Sequence, residues 1–189
     1  INGVPAVDYG TGASNRMGYS GLVPISDISD AGAITIFIVQ EIKVSGGSRN
    51  WALSWDATSS TQLILVGSPD TVYAGDKELR VSYGTINLTG DSLRVTVSDI
   101  DTTPKVLAFV KRGDDTGALY VNGTLALDSV MDGIIDPSSG QFAIGGIYLD
   151  NPAGQFKGLI AEYVVFKGAL DITGINEIND YLKTKYSII

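Results

Sequence analysis

The feature that most constrains this chain is its last fifth, residues 155–186, QFKGLIAEYVVFKGALDITGINEINDYLKTKY. A strand signal runs almost directly into a helix signal. Residues 159–166 are nearly all apolar, with β-branched and aromatic side chains, which predicts a strand covered on both faces. Gly168 interrupts the run and Asp171 stands where a helix N-cap is needed. Ile175, Ile178 and Leu182 then recur at i, i+3 and i+7, one stripe of a helix predicted over 171–186. Lys183 and Lys185 sit in its last turn, where cations complement the helix dipole. Glu162 is the one charged residue inside the apolar run.

Upstream the chain is a succession of short strand signals separated by turns. Residues 33–41 (AITIFIVQE) are apolar on both faces and belong in the middle of a sheet. In 50–56, Trp51, Leu53 and Trp55 share a face by period-two spacing. Residues 62–66 form another strand, and alternation recurs in 79–83 and 93–97. Residues 105–111 and 118–121 make a hairpin around Gly113-Asp114-Asp115-Thr116-Gly117, and Asn122-Gly123 turns the chain into 125–130. A strand at 141–147 precedes the terminal pair. Residues 1–24 read as an irregular N-terminal arm with one edge strand near 4–9. About ten to twelve strands at short spacing describe a two-sheet antiparallel sandwich. No internal repeat or linker divides the 189 residues, so one domain over 1–189 is expected.

Several function classes drop out on composition. The chain has no histidine, which removes Ser-His-Asp and Cys-His catalysis and the usual zinc site. It has no cysteine, so no disulfide framework. A net charge of −8 repels phosphates and anionic lipid, which disfavours nucleic acid and membrane and suits Ca²⁺ or neutral sugars. No run of apolar residues reaches membrane-spanning length. The opening Ile-Asn-Gly, without Met or a leader pattern, reads as a fragment of a larger chain or a mature product.

The run GLIAEYVVFKGALDITGINEINDYLKTKY resembles the C-terminal end of laminin-G-like and other concanavalin A-like jelly-roll domains. Those end in a strand of the form G-x-I-A-E-V followed by A-L-S and a short helix finishing Y-L-x-x-K-Y, with Asp171 here in place of the Ser. KVLAFVKRGDDTGALYVNGTLA and GQFAIGG are also similar to the family, so the resemblance covers about the C-terminal half. It implies an all-β, two-sheet antiparallel jelly-roll sandwich with one short C-terminal α-helix. The family spans lectins, adhesion modules, glycanases and spacer domains. The function implied first is a non-catalytic module that binds cell-surface or matrix glycan, as in phage tail or virion proteins and bacterial surface proteins, hence an extracellular or virion location. The alternative is a structural decoration or spacer domain whose partner is another protein or a second copy. A glycoside hydrolase or lyase ranks last, because glycanases of this superfamily carry paired acids as E-x-D-x-E and no such run exists here.

Four sets of residues are candidates. Glu162 is either a catalytic acid or a structural carboxylate whose bonds link strand and helix. Trp51 and Trp55 either stack on sugar or pack in the core. Tyr73 and Asp76 in one loop, with Tyr148, Asp150 and Asn151 in another, combine an aromatic face with amide and carboxylate groups, as a neutral sugar requires. Acidic loop residues, with Asp70, Asp128 and Asp132 as the metal candidates, could hold the rim Ca²⁺ that the resemblance implies. They read equally as solvated turn residues, since no D-x-D-x-D spacing occurs. Two sequons begin at Asn87 and Asn122, and the second is better explained by its turn.

Overall fold

A computed structural model of the chain describes residues 1–9, 17–23, 32–43, 51–56, 62–67, 78–84, 92–97, 103–131, 140–145 and 156–189. Within them lie twelve strands and one helix: β1 (Val7–Asp8), β2 (Met17–Val23), β3 (Ile34–Ile42), β4 (Trp51–Asp56), β5 (Gln62–Gly67), β6 (Glu78–Gly84), β7 (Ser92–Thr96), β8 (Lys105–Lys111), β9 (Thr116–Val121), β10 (Thr124–Val130), β11 (Gly140–Ile144), β12 (Gly158–Lys167) and α1 (Ile172–Tyr186). Sheet I has the order β1-β12-β3-β8-β9-β10, and sheet II the order β2-β11-β4-β5-β6-β7. Every neighbouring pair is antiparallel. Among the described residues no helix is long and apolar enough to cross a membrane.

Sheet I is covered on both sides, which is why its middle strands are apolar without alternation. Along β3, Ile34, Ile36, Ile38 and Ile42 face the core shared with sheet II, where Leu79, Val81 and Leu93 meet them. Phe37 and Val39 face the other way, into a second core closed by Ile175, Leu182 and Tyr186 of α1. The helix forms where the stripe and the caps require. The Asp171 carboxylate accepts from the Gly174 N–H at 2.9 Å, and Ser187 in the left-handed region ends it. Gly168, at φ +108°, turns the chain from β12 toward the helix. The Thr35 hydroxyl secures that turn, donating to the Gly168 carbonyl and accepting from the Leu170 N–H, each at 2.9 Å.

One sequence expectation is corrected. The N-terminal 1–24 is not an irregular arm with a single edge strand: β2 pairs with β11 as an edge of sheet II, and β1 is reduced to two residues on β12. Gly18 and Gly21 dilute the hydrophobic signal of β2, and its pairing partner lies over a hundred residues downstream. The period-two argument for Trp51, Leu53 and Trp55 concerns side chains outside the described ones. The register against β5 shifts between Trp51 and Leu53, so an extra residue, Ala52, interrupts the alternation.

A comparable shift on β12 decides where Glu162 points. The register against β3 slips between Ile160 and Glu162. Ile160 and Tyr163, three apart, both pack into the inter-sheet core, while Leu159, Ala161, Val164 and Phe166 pack toward the helix. Strict alternation would drive Glu162 into the core beside Ile160, at several kcal/mol for an unpaired carboxylate, of order. The bulge turns it outward and brings Tyr163 inward.

Candidate functional site

The two loops that carry the sugar-binding candidates have their roots at one end of sheet II. The register places Ile144 opposite Leu53, Trp51 opposite Val66 and Gly67 opposite Leu79. Residues 146–155, which include Tyr148, Asp150 and Asn151, leave β11 through Gly145. Residues 68–77, which include Asp70, Tyr73 and Asp76, leave β5 through Gly67. Only β4 separates these roots in the sheet. The departure points are therefore about 10 Å apart, two strand spacings. The candidate side chains themselves lie outside the described residues, as does Asp132.

Directly beside the root of 146–155 is a pocket of about 250 Å³, lined by Val7, Tyr9, Ile144, Ile160, Ala161, Glu162 and Tyr163. It opens between the two sheets where β1 and β12 face β11. The backbone around it is tightly pinned. The Gly145 N–H donates to the Ala52 carbonyl at 2.9 Å, the Phe156 N–H to the Gly145 carbonyl at 2.9 Å, and the Tyr9 N–H to the Gly158 carbonyl at 2.9 Å. Gly145 has φ +79°, and a Cβ there would lie 2.3 Å from the Tyr9 ring, so glycine is required on both counts. Tyr9 meets Phe156 edge to face, with ring centroids 6.1 Å apart.

The pocket's polar groups are two phenols and one carboxylate. The Tyr163 hydroxyl crosses the core to donate to the Ala52 carbonyl, so the bulge of β12 is tied to the bulge of β4. Burial pushes the Tyr9 phenol up to about 12, and burial and the neighbouring Tyr9 raise Tyr163 well above its ordinary value. Both remain neutral across the physiological range. The Glu162 Oε2 accepts from the Tyr186 hydroxyl at 3.0 Å and from Lys185 Nζ at 2.9 Å, which joins strand to helix. The carboxylate in turn raises the Lys185 ammonium above its usual value. Glu162 is the one carboxylate among the described residues of this lining.

Of the metal candidates Asp70, Asp128 and Asp132, Asp128 alone lies among the described residues. Asp128 lies on β10 at the end where the 113–115 turn sits, opposite Ala118, while the Asp70 loop departs from the other end of the sandwich. Both Asp128 oxygens are held by the Arg112 guanidinium, at 3.0 and 2.9 Å, which leaves that carboxylate poorly placed to ligate Ca²⁺. Asp114 caps its own turn, accepting from the Thr116 hydroxyl at 2.6 Å, and this bond holds its carboxyl below the usual range. Among the described residues no three acidic side chains form a cation cage. Of the tryptophans, Trp51 and Trp55 both lie on β4, but nothing described fixes the surroundings of either side chain. Tyr9 and Tyr163 escaped the sequence reading. One ended the edge strand read near 4–9, and the other was one aromatic within an apolar run.

Residues 28–176 match the family Laminin_G_3, described as the concanavalin A-like lectin/glucanases superfamily. The chain belongs to this superfamily. No curated protein matches it. Solved concanavalin A-like structures resemble it at low identity, so they show its fold. The CBM40 module of Ruminococcus gnavus IT-sialidase, bound to α2,3-sialyllactose, superposes with a TM-score of 0.66 at 15% identity, covering 92% of this chain and 96% of the module. A heptameric SAP-like pentraxin from Limulus polyphemus gives 0.60 at 16% identity, over 87% of this chain and 75% of that one. The binding domain of botulinum neurotoxin serotype G gives 0.59 at 11% identity, over 81% of this chain and 37% of that one. The superfamily member described here is thus a jelly-roll sandwich whose neighbours include carbohydrate-binding modules.

Proposed function

We propose that this chain is a non-catalytic glycan-binding module, one that recognises carbohydrate on a cell or matrix surface from the exterior of a virion or a bacterium. The observation that carries this is the gathering at one end of the sandwich. The roots of the loops holding Tyr73, Asp76, Tyr148, Asp150 and Asn151 stand about 10 Å apart, beside a pocket walled by Tyr9, Tyr163 and Glu162. Aromatic faces with hydroxyl, amide and carboxylate groups are the surface a sugar ring needs, and loops on a rigid sandwich are where binding is commonly placed. The likeness to sugar-binding modules supports the same reading.

The test is a glycan array probed with the purified chain in Ca²⁺ and again in chelator. Binding to a defined group of glycans is expected, and Tyr148→Ala should weaken it by about tenfold, roughly one stacking contact. No bound glycan at high protein concentration would contradict the reading. Loss of binding in chelator would bring a loop-held cation into the site.

A second reading, a structural spacer or decoration domain, is favoured by one observation. The edge strand β10 exposes Leu125 and Val130 at 51% and 61%. An apolar edge of this kind suits a protein partner or a second copy. Light scattering across a concentration series separates the two, since a defined oligomer without glycan binding supports only the spacer.

A further inference from the structure

We infer that Asn2 is a self-modification site, where attack by the Gly3 backbone nitrogen and then by water turns the amide into an acid and loosens the N-terminal segment from α1. Asn is followed by Gly at residues 2–3 and 122–123. Glycine has no side chain to shield its nitrogen, which makes this dipeptide prone to cyclise. The Gly3 nitrogen loses its proton and bonds to Asn2 Cγ. The Cγ–Nδ2 bond breaks, and the amide nitrogen leaves with that proton as ammonia. Water then opens the succinimide at one carbonyl to give aspartate, or at the other to give isoaspartate. Both Asn-Gly pairs sit in left-handed turns, with φ +49° and +82° at 2–3 and +51° and +84° at 122–123. The backbone must leave that shape before the five-membered ring can close, so the cost of opening each turn decides which site reacts.

The two turns differ in how they are held. At 122–123 the flanking Val121 and Thr124 pair in the β9–β10 ladder. The Asn122 N–H donates to the Val106 carbonyl at 2.8 Å, and its Oδ1 accepts from the Val106 N–H at 2.9 Å. Asn179, 4% exposed, packs on Gly123, where a Cβ would lie 2.6 Å from its Nδ2. At 2–3 both residues are exposed, and Gly3 has open space where a Cβ would stand. The turn is closed by the Val4 N–H donating to the Ile1 carbonyl at 2.9 Å. The products differ as well. Asn2 Nδ2 donates to the Tyr186 and Ser187 carbonyls at 2.8 and 3.1 Å, a polar tie beside the packing of Ile1, Val4 and Ala6 against the helix side of sheet I. A carboxylate cannot donate to those carbonyls, and it brings negative charge to the negative end of the α1 dipole. Lys183 and Lys185 lie in that last turn, and Lys185 is already held by Glu162 at 2.9 Å, so the expected effect is loosening rather than unfolding. An aspartate at 122 would keep the oxygen that accepts from Val106.

The test is to incubate the full chain at mildly alkaline pH, folded and in denaturant, and to follow both peptides by mass for conversion of amide to acid. In the folded chain Asn2 should convert at least about tenfold faster than Asn122, and in denaturant the two rates should converge. Asn2→Asp writes one product directly into the chain. It should lower the melting temperature by about 2–4 °C and raise hydrogen exchange in the last turn of α1. Asn122→Asp should shift the melting temperature by less. Folded Asn122 converting as fast as Asn2 would overturn the inference. So would a folded chain that resists at both sites while the denatured chain reacts, or Asn2→Asp with melting and exchange unchanged.

Discussion

The two faces of β12 show how one strand can serve two unlike neighbours. Its inner face, Ile160 and Tyr163, closes the core against sheet II and forms part of a pocket wall. Its outer face, Leu159, Ala161, Val164 and Phe166, carries the helix, and Glu162 on that side binds Tyr186 and Lys185. The difference is produced by one extra residue. The bulge between Ile160 and Glu162 reverses the phase of everything after it, so that a phenol enters the core and a carboxylate leaves it. Polar groups in a buried strand can thus be placed by backbone register as well as by side-chain order.

The separateness of the two faces can be attacked directly. Phe37, on the helix side of β3, meets Phe166 edge to face at 6.0 Å, while Phe109 lies in the inter-sheet core. Both are fully buried, and either change to alanine should cost about 3–5 kcal/mol in denaturant unfolding. Phe37→Ala should loosen α1 and leave the pocket intact. If hydrogen exchange in α1 responded equally to Phe109→Ala, the faces would not be distinct.

Next in size is a pH effect confined to the inner face. Tyr9 has its pKa raised to about 12 in the folded chain. A raised folded pKa means the stabilisation is fully present below the ordinary value near 10 and is lost as pH rises toward the folded value. Denaturant stability should therefore fall between about pH 10 and 12, by on the order of 2 kcal/mol. Tyr9→Phe should flatten that fall, and an unchanged pH profile would show that Tyr9 is not enclosed.

Tyr163→Phe removes the hydroxyl that reaches the Ala52 carbonyl. A loss of about 1–2 kcal/mol is expected on thermal melting, the range for one buried hydrogen bond. A neutral result would mean that the bulges of β12 and β4 are not tied together. On the outer side, Asp171→Ala deletes the helix cap and should cost about 1 kcal/mol. It should reduce helical content without altering glycan binding.

The terminal strand and helix were legible because each is signalled locally. Apolar residues fill 159–166, glycine follows, and a capping Asp precedes a helical stripe. The observed helix, Ile172–Tyr186 with Asp171 as its cap, falls where that pattern puts it. The β8–β9 hairpin was legible for the same reason, since its turn residues Asp114 and Asp115 lie between two apolar runs. The resemblance to concanavalin A-like domains likewise rested on contiguous motifs, and the match over 28–176 agrees with it. What escaped depends on register between distant strands. Nothing near Met17 announces that it pairs with Ile144, and no local pattern shows that Ala52 and Ala161 sit in shifted registers. The pocket inherits that difficulty, because Tyr9, Ile144 and Tyr163 come from three separated segments and become neighbours only through pairing. Asp128 shows the converse. It was a calcium candidate as one of several acidic turn residues, and in the fold Arg112, sixteen residues earlier, closes on it once β10 folds back.

The most direct test of the account is the structure of the chain with the strongest glycan from the array bound. The account predicts a sugar ring at the end of the sandwich from which residues 68–77 and 146–155 depart, beside Val7 and Glu162. A sugar seated on the outer surface of either sheet would contradict it.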